Sequence, residues 1–116
     1  NIGWLVTPAF DLTGATDAYI NFKLAQHHLD DEDNNTLEVF VSTDFDGTNV
    51  TTATWEKQNV AIPGEDIPWY AFQDVGLIDV SSYSGNLYVA FKYVGSGTDT
   101  SLDGGYFVDD VLFLKK

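Results

Sequence analysis

Residues 105–114 form a long, strongly β-prone segment near the end of the chain, and this segment most limits the possible folds. From Tyr106 to Leu114, every residue except Asp109 and Asp110 is aromatic or aliphatic. Such a composition is typical of a central strand that is largely buried. Because successive side chains of a strand point to opposite faces, either face of a regular strand here would carry one aspartate into the core.

A buried carboxylate must be ion-paired, well hydrogen-bonded or bound to a metal, since an isolated buried charge is strongly unfavourable. The chain has no Arg and only five Lys, two of which are the terminal Lys115 and Lys116. A cation from solution is therefore the expected partner of the buried aspartate. Calcium is the cation that carboxylate oxygens suit best.

The rest of the sequence has the two-residue period of β-structure. Residues 18–25, 36–43 and 86–94 alternate between apolar and polar side chains, and each predicts a strand with one buried face. Residues 4–8, 51–60 and 69–77 predict further strands, separated by turns rich in Gly, Asp, Ser and Pro. No segment has a helical period. The pattern predicts an all-β protein of roughly seven or eight antiparallel strands, in a two-sheet sandwich or a barrel.

Composition narrows the class of protein further. The 116 residues are enough for one domain with its own core, residues 1–116, and 44% hydrophobic residues argue against disorder despite a net charge of -13. That acidity argues against nucleic-acid binding, which needs clustered Lys and Arg.

No apolar run approaches the roughly 20 residues of a membrane span, so membrane insertion is not expected. The absence of Cys excludes disulfides and thiolate metal sites. The chain begins at Asn1 rather than Met, and we expect it to be a piece of a longer protein.

Four segments, in order along the chain, resemble motifs of one family. Residues 4–15 resemble its opening WL-(S/T)-P-A-x-D-L-(S/T)-G, and residues 37–47 resemble its LEVxVSTDYDG strand and turn. Residues 79–93 resemble DLSxYxGxxVxIAFKY, and residues 106–111 resemble the closing (W/Y)-x-I-D-(N/D)-V. The chain thus resembles the choice-of-anchor J and cleaved-adhesin-type domains, which are MAM-like jelly rolls of secreted proteins of Bacteroidota.

This resemblance implies an antiparallel two-sheet jelly roll, secreted or on the cell surface, often with structural calcium. Family members are accessory domains of proteases, nucleases, glycosidases or adhesins, where they are taken to bind carbohydrate or protein. The family's calcium site corresponds here to Asp109 and Asn35, and Asp17 could supply another oxygen ligand. The chain departs from the family at its start, because only three residues precede Trp4. This leaves open whether an N-terminal strand and a metal ligand are missing.

Exposed aromatic rings indicate sugar binding, because the C–H faces of a pyranose stack on them. We expect Trp69 and Tyr70, after Pro68, to be exposed, whereas the resemblance makes Trp4 a packing residue and we expect Trp55 to be partly buried. A second expected surface is the outward set of five residues that could share one sheet: Tyr19, Lys23, Phe40, Tyr88 and Lys92. Carbohydrate binding by a non-catalytic module is the leading hypothesis. The alternative is an adhesive or structural protein–protein module, and a concave groove lined by these aromatic residues would favour the first.

Other candidate sites are weaker. Residues 30–33 are all acidic, but they lack the spacing of an EF-hand and are interpreted as a solvated hairpin tip. His27 and His28 would point to opposite faces of a strand, so we interpret them as polar loop residues rather than as a zinc site or a general base. No serine lies in a G-x-S-x-G elbow. Among the 18 acidic residues, no two are indicated as the pair of catalytic carboxylates of a glycoside hydrolase. The sequence does not predict an enzyme.

Overall fold

The structure is a computed structural model that describes residues 2–27, 35–64, 66–95 and 105–116. Within these ranges the regular structure is entirely β-strand. No helix in the described ranges is long and apolar enough to cross a membrane.

The described ranges contain nine strands. They are β1 (Ile2–Val6), β2 (Phe10–Asp11), β3 (Ala18–His27), β4 (Thr36–Ser42), β5 (Glu56–Gln58), β6 (Gln73–Asp74), β7 (Ile78–Asp79), β8 (Asn86–Val94) and β9 (Gly105–Lys115).

The strands form two antiparallel sheets that pack face to face. In sheet 1, β8 lies between β4 and the pair β1 and β2, and β5 extends the sheet beyond β4. In sheet 2, β3 lies between β9 on one side and the short strands β6 and β7 on the other. The chain passes from one sheet to the other after β2, β3, β5, β7 and β8, as in a jelly roll. The predicted all-β, two-sheet antiparallel sandwich is therefore confirmed.

The core lies between the long central strands of the two sheets. Ile20, Phe22 and Leu24 of β3 are fully buried and face Val39 and Val41 of β4 and the apolar face of β8. The rings of Phe22 and Phe91 meet edge to face at 4.9 Å, joining the two sheets at their centre. The alternation predicted for residues 18–25, 36–43 and 86–94 is confirmed, because each apolar set is the buried one.

Two predicted strands are shorter in the structure. In the segment 51–60 only Glu56–Gln58 is a strand, because the side chains of Asp46 and Asn49 accept backbone N–H bonds and hold the preceding residues in turns. In the segment 69–77 only Gln73–Asp74 is a strand, since Tyr70 and Gly76 both have positive φ angles, at 64° and 81°.

The prediction that the last strand is central and largely buried is wrong. Within the described ranges β9 pairs only with β3, so it forms an edge of sheet 2. Phe107, Leu112 and Leu114 on its outer face are 40–49% exposed. The apolar composition of β9 therefore reflects two apolar surfaces on an edge strand, not burial on both faces.

The prediction that one aspartate of this strand faces the core is also wrong, because the strand is not regular. Asn21 pairs with Leu112 but Lys23 pairs with Asp109, so two residues, Asp110 and Val111, lie opposite Phe22. This β-bulge has Asp110 at φ 52°, a left-handed conformation that Asp tolerates better than most residues. The extra residue reverses the alternation, so that both aspartates are exposed.

Candidate functional site

The outer face of sheet 2 carries a group of exposed aromatic side chains. The rings of Tyr70 and His27 are stacked with centroids 5.7 Å apart, and Phe107 lies 5.1 Å from His27 and 5.7 Å from Tyr70. Phe72 lies 6.3 Å from Phe107. We call these four residues the aromatic platform. Tyr70 and Phe72 are 55% and 44% exposed, and Trp69, the neighbour of Tyr70 in the chain, is 49% exposed.

Pairing between β3 and β9 builds one half of the platform. Phe107 pairs with Ala25, which is fully buried beneath the surrounding side chains, and His27 pairs with Gly105. The His27 ring lies directly on Gly105, where an added Cβ atom would come within 2.1 Å of Nε2. Only glycine at position 105 therefore leaves room for this ring position.

The loop before β6 builds the other half. The buried side-chain amide of Gln26 donates hydrogen bonds to the carbonyl oxygens of Ile67 at 2.5 Å and Gly64 at 3.3 Å. The Tyr70 N–H donates to the Gln26 carbonyl at 2.9 Å. These bonds hold Tyr70 at a positive φ that costs roughly 1–3 kcal/mol for a non-glycine residue. Strained residues of this kind are concentrated at binding sites.

Polar groups border the platform on the same face of sheet 2. Lys23 Nζ lies 3.2 Å from Asp110 Oδ2, and Asp109 and Asp74 occupy the positions paired with Lys23 on the two neighbouring strands. The pKa of Asp74 lies below its usual range, because the Asn21 amide and the Gly76 N–H donate to it and the Lys23 charge is near. Asp74 is therefore ionised at neutral pH and offers acceptor oxygens beside the rings.

Sheet 1 carries a second aromatic group on its own outer face. Trp4 lies 5.9 Å from Phe40 and 5.6 Å from Trp55, while Phe45 lies 5.5 Å from Trp55 and 5.0 Å from Tyr88. All five side chains are half-buried. The rings of Phe45 and Trp55 pack the segment 43–55 onto the sheet, and the Trp55 indole N–H donates to the Val50 carbonyl. Trp4 packs against its neighbours and Trp55 is partly buried, as expected from the sequence.

The prediction that one sheet surface holds all the outward residues is wrong. Tyr19 and Lys23 lie on the outer face of sheet 2, whereas Phe40, Tyr88 and Lys92 lie on the outer face of sheet 1. Lys92 Nζ lies 5.5 Å from the centre of the Trp4 ring, which places it within the sheet 1 group.

Among the predicted ligand-binding residues, Tyr70 and Tyr19 both lie on the outer side of sheet 2. Tyr19 is nevertheless six residues from Ala25 along β3, about 20 Å away. Sequence reasoning missed Phe107, Phe72 and His27 as members of the platform. The exposed position of Phe107 on β9 depends on the strand being an edge strand.

The three predicted calcium ligands lie in different places. Asp109 is exposed on the outer face of sheet 2, and its Oδ1 accepts the Asp110 N–H at 2.9 Å. Asn35 is 1% exposed, and its Oδ1 accepts the Tyr93 hydroxyl at 3.1 Å. Asp17 is exposed at the opposite end of β3, where its carbonyl accepts the Lys116 N–H. Because the pairs Asp17–Lys116 and Lys23–Asp109 are six residues apart along β3, Asp17 and Asp109 are about 20 Å apart.

This arrangement does not fit a single ion bound by all three residues. In the part of the chain that the structure describes, no three acidic or histidine residues form a group that could hold a metal ion. Calcium binding by any one of these residues stays a prediction. Residues 30–33 and His28 lie outside the described residues.

A comparison with protein-family models finds no match to this chain, and a comparison with curated proteins finds none of significant similarity. The likeness to the choice-of-anchor J domains is therefore carried by the four sequence motifs alone.

Proposed function

We propose that the domain is a non-catalytic carbohydrate-binding module of a larger secreted or cell-surface protein, with the aromatic platform as its glycan site. The observation that carries this proposal is the exposure of Tyr70, Phe72 and Phe107, at 40–55%, in one group of rings on the outer face of sheet 2. Trp69, which precedes Tyr70 in the chain, is also 49% exposed. Single exposed apolar side chains are common, but a contiguous group of large exposed rings marks an interaction site. Stacking on a sugar ring would cover them.

The surroundings of the platform favour a neutral glycan. The bordering carboxylates of Asp74 and Asp109 can accept hydrogen bonds from sugar hydroxyls, and so can the side-chain oxygen of Asn21, whose nitrogen already donates to Asp74 and to the Gly76 carbonyl. The ammonium of Lys23 is already paired with Asp110, and the chain has a net charge of -13. An acidic polysaccharide would therefore be repelled, whereas an uncharged chain would not.

The shape of the platform favours the side of a polysaccharide chain over its end. Its rings lie on an open sheet face and not inside the clefts of the sandwich, which are lined by other residues. A group of rings on an open face can stack on the sugar units of a chain that runs across it, whereas recognition of a chain end needs an enclosing pocket. The clefts and smaller cavities among the described residues are not lined by Trp69, Tyr70 or Tyr88, so the groove that would have favoured carbohydrate binding most strongly is not seen there.

An adhesive protein–protein module is the second candidate, and exposed aliphatic side chains favour it. Leu77, Leu112 and Leu114 belong to sheet 2 or its connecting turns and are 43–64% exposed. Apolar surface of this kind also marks protein contacts. In that case the platform would bind a protein and no glycan.

Glycan-array screening of the labelled domain, with and without added calcium, tests the proposal. For a retained neutral glycan, we expect Phe107→Ala to lower the affinity about fivefold to tenfold, because one stacked ring contributes about 1 kcal/mol. Leu114→Ala is the matched control, since it removes an exposed side chain from the same face of the same strand, seven residues away. Equal effects of the two substitutions, or no retained glycan, would contradict the proposal.

A further inference from the structure

We propose that a cleft between β1 and β9 binds an extended polypeptide strand of a partner, with apolar residues at alternate positions and a basic residue beside Asp109. This site lies on the inner side and the free edge of β9 and shares only Asp109 with the border of the aromatic platform. It does not depend on the proposed glycan binding.

The cleft lies along one open side of the sandwich, between the edge of sheet 1 and the edge of sheet 2. It consists of two adjoining cavities of about 350 Å³ each, which share Leu5, Phe91 and Val108. One cavity continues towards Tyr93 and Tyr106, and the other towards Pro8 and Phe113. None of the described residues that line them is charged. An uncharged lining in so acidic a chain indicates that the cleft suits a ligand with apolar side chains.

The side chain of Leu5 shows that core surface is open to solvent here. Leu5 pairs with Phe91, so both side chains point towards the space between the sheets. Phe91 is 3% exposed, but Leu5 is 58% exposed. A side chain on the inner face of a sandwich is ordinarily buried, and no element among the described residues covers this position.

The backbone of β9 indicates what kind of element would cover it. Within the described ranges no strand pairs with the side of β9 away from β3. Every second residue of such an edge directs its N–H and C=O groups outward, where an added strand can pair with them. The bulge at Asp110 divides this edge into two short pairing segments, residues 105–109 and 111–115.

The side chains along the cleft set the length and pattern of the occupant. Because the bulge adds one residue to β9, the distance from Tyr106 to Phe113 equals the six steps between their partners Gln26 and Ile20 on β3, about 20 Å. This length corresponds to a strand of about seven residues. Alternate residues of that strand would enter the cavities and must be apolar.

Charge complementarity distinguishes a partner from a second copy. Asp109 is exposed on the outer face of β9, while the nearby Lys23 is bound to Asp110. An outward Lys or Arg on the added strand would lie across from Asp109 and form a cross-strand ion pair. A second copy would bring another net charge of -13 to the same edge, so it is a poor occupant.

A synthetic nine-residue peptide, with Val and Leu alternating with Lys and Thr, is the probe. Fluorescence anisotropy of the labelled peptide is measured against increasing concentrations of the domain. The control peptide has the same composition with its apolar and polar residues in separate blocks. We expect the alternating peptide to bind at least about tenfold more tightly than the block peptide. Equal affinities would show charge attraction alone and would overturn the proposal.

Substitutions locate the binding to the cleft. Leu5→Lys places a charge in the cavity wall and should weaken peptide binding about tenfold or more. Leu77→Lys is the matched control, since Leu77 is 64% exposed and lies on the far side of sheet 2, between β6 and β7. Asp109→Asn should weaken binding and reduce its dependence on salt. Unchanged binding by Leu5→Lys, or a wild-type dimer in sedimentation that Leu5→Lys dissociates, would overturn the proposal.

Discussion

Asp110 determines which side chains of the last strand face the core. Its left-handed backbone forms the bulge after which Val111 and Phe113 turn inward, whereas in a regular strand they would share the outward face of Asp109. Without the extra residue, one half of β9 would present its solvent face to the core. The two adjacent carboxylates are thus compatible with an apolar strand because the strand changes register between them.

Substitution of Asp110 tests the importance of this backbone. Asp110→Val should lower the free energy of unfolding by about 1–3 kcal/mol, because a β-branched residue is strained at positive φ. Asp110→Asn is the control: it tolerates this φ and loses only an ion pair between exposed groups, which contributes at most about 1 kcal/mol. Urea unfolding measures both variants. Equal destabilisation would contradict a left-handed Asp110.

The exposure of single residues could be predicted where the local sequence determines it. Pro68 and the turn residues near it predict an exposed Trp69 and Tyr70, and both are about half exposed. The bulge could not be predicted, because Asp110 has no glycine or turn motif beside it and its φ follows from pairing with β3. The approach of His27 to Phe107 likewise depends on the register of two strands nearly 80 residues apart.

At the scale of elements, strands with one buried face were predictable and edge strands were not. In β3, β4 and β8, apolar and polar side chains alternate because one face meets the core and the other meets solvent. In β9 both faces are apolar, and this pattern is equally consistent with a central strand. Its position at the edge of sheet 2 is a property of the topology. The same limit applies to the segment 51–60, where side-chain bonds in the turn outweigh β propensity.

The segment 43–55 depends on Trp55 for its attachment to sheet 1. Trp55→Ala removes ring contacts with Trp4 and Phe45 and should lower the free energy of unfolding by about 3 kcal/mol. Trp55→Phe keeps a ring but loses the bond to the Val50 carbonyl, so it should cost only about 1 kcal/mol. Amide hydrogen exchange in residues 46–54 should rise strongly in Trp55→Ala. Unchanged exchange would show that the turn hydrogen bonds suffice to hold the segment.

At the scale of the whole molecule, the predicted structural calcium can be tested through stability. If calcium binds only the folded domain, a hundredfold excess over Kd adds about 2.7 kcal/mol to the free energy of unfolding and raises Tm. Because Asp17 and Asp109 are about 20 Å apart, their alanine variants should reduce this gain independently and additively. Thermal unfolding in calcium and in EDTA measures the gain. An identical Tm in both conditions would contradict the prediction that calcium binds and stabilises the folded domain.

The three tryptophans allow the central claim to be tested in one experiment, because Trp69 precedes Tyr70 of the platform in the chain while Trp4 and Trp55 pack together on sheet 1. Titration of the best retained neutral glycan into ¹⁵N-labelled domain is followed through the three indole N–H signals. Binding at the platform predicts a shift of the Trp69 signal, with Ala25 and Phe107 amides shifting in parallel, and stationary signals from Trp4 and Trp55. Shifts confined to Trp4 and Trp55, or to residues of the cleft such as Leu5, would contradict the platform as the glycan site.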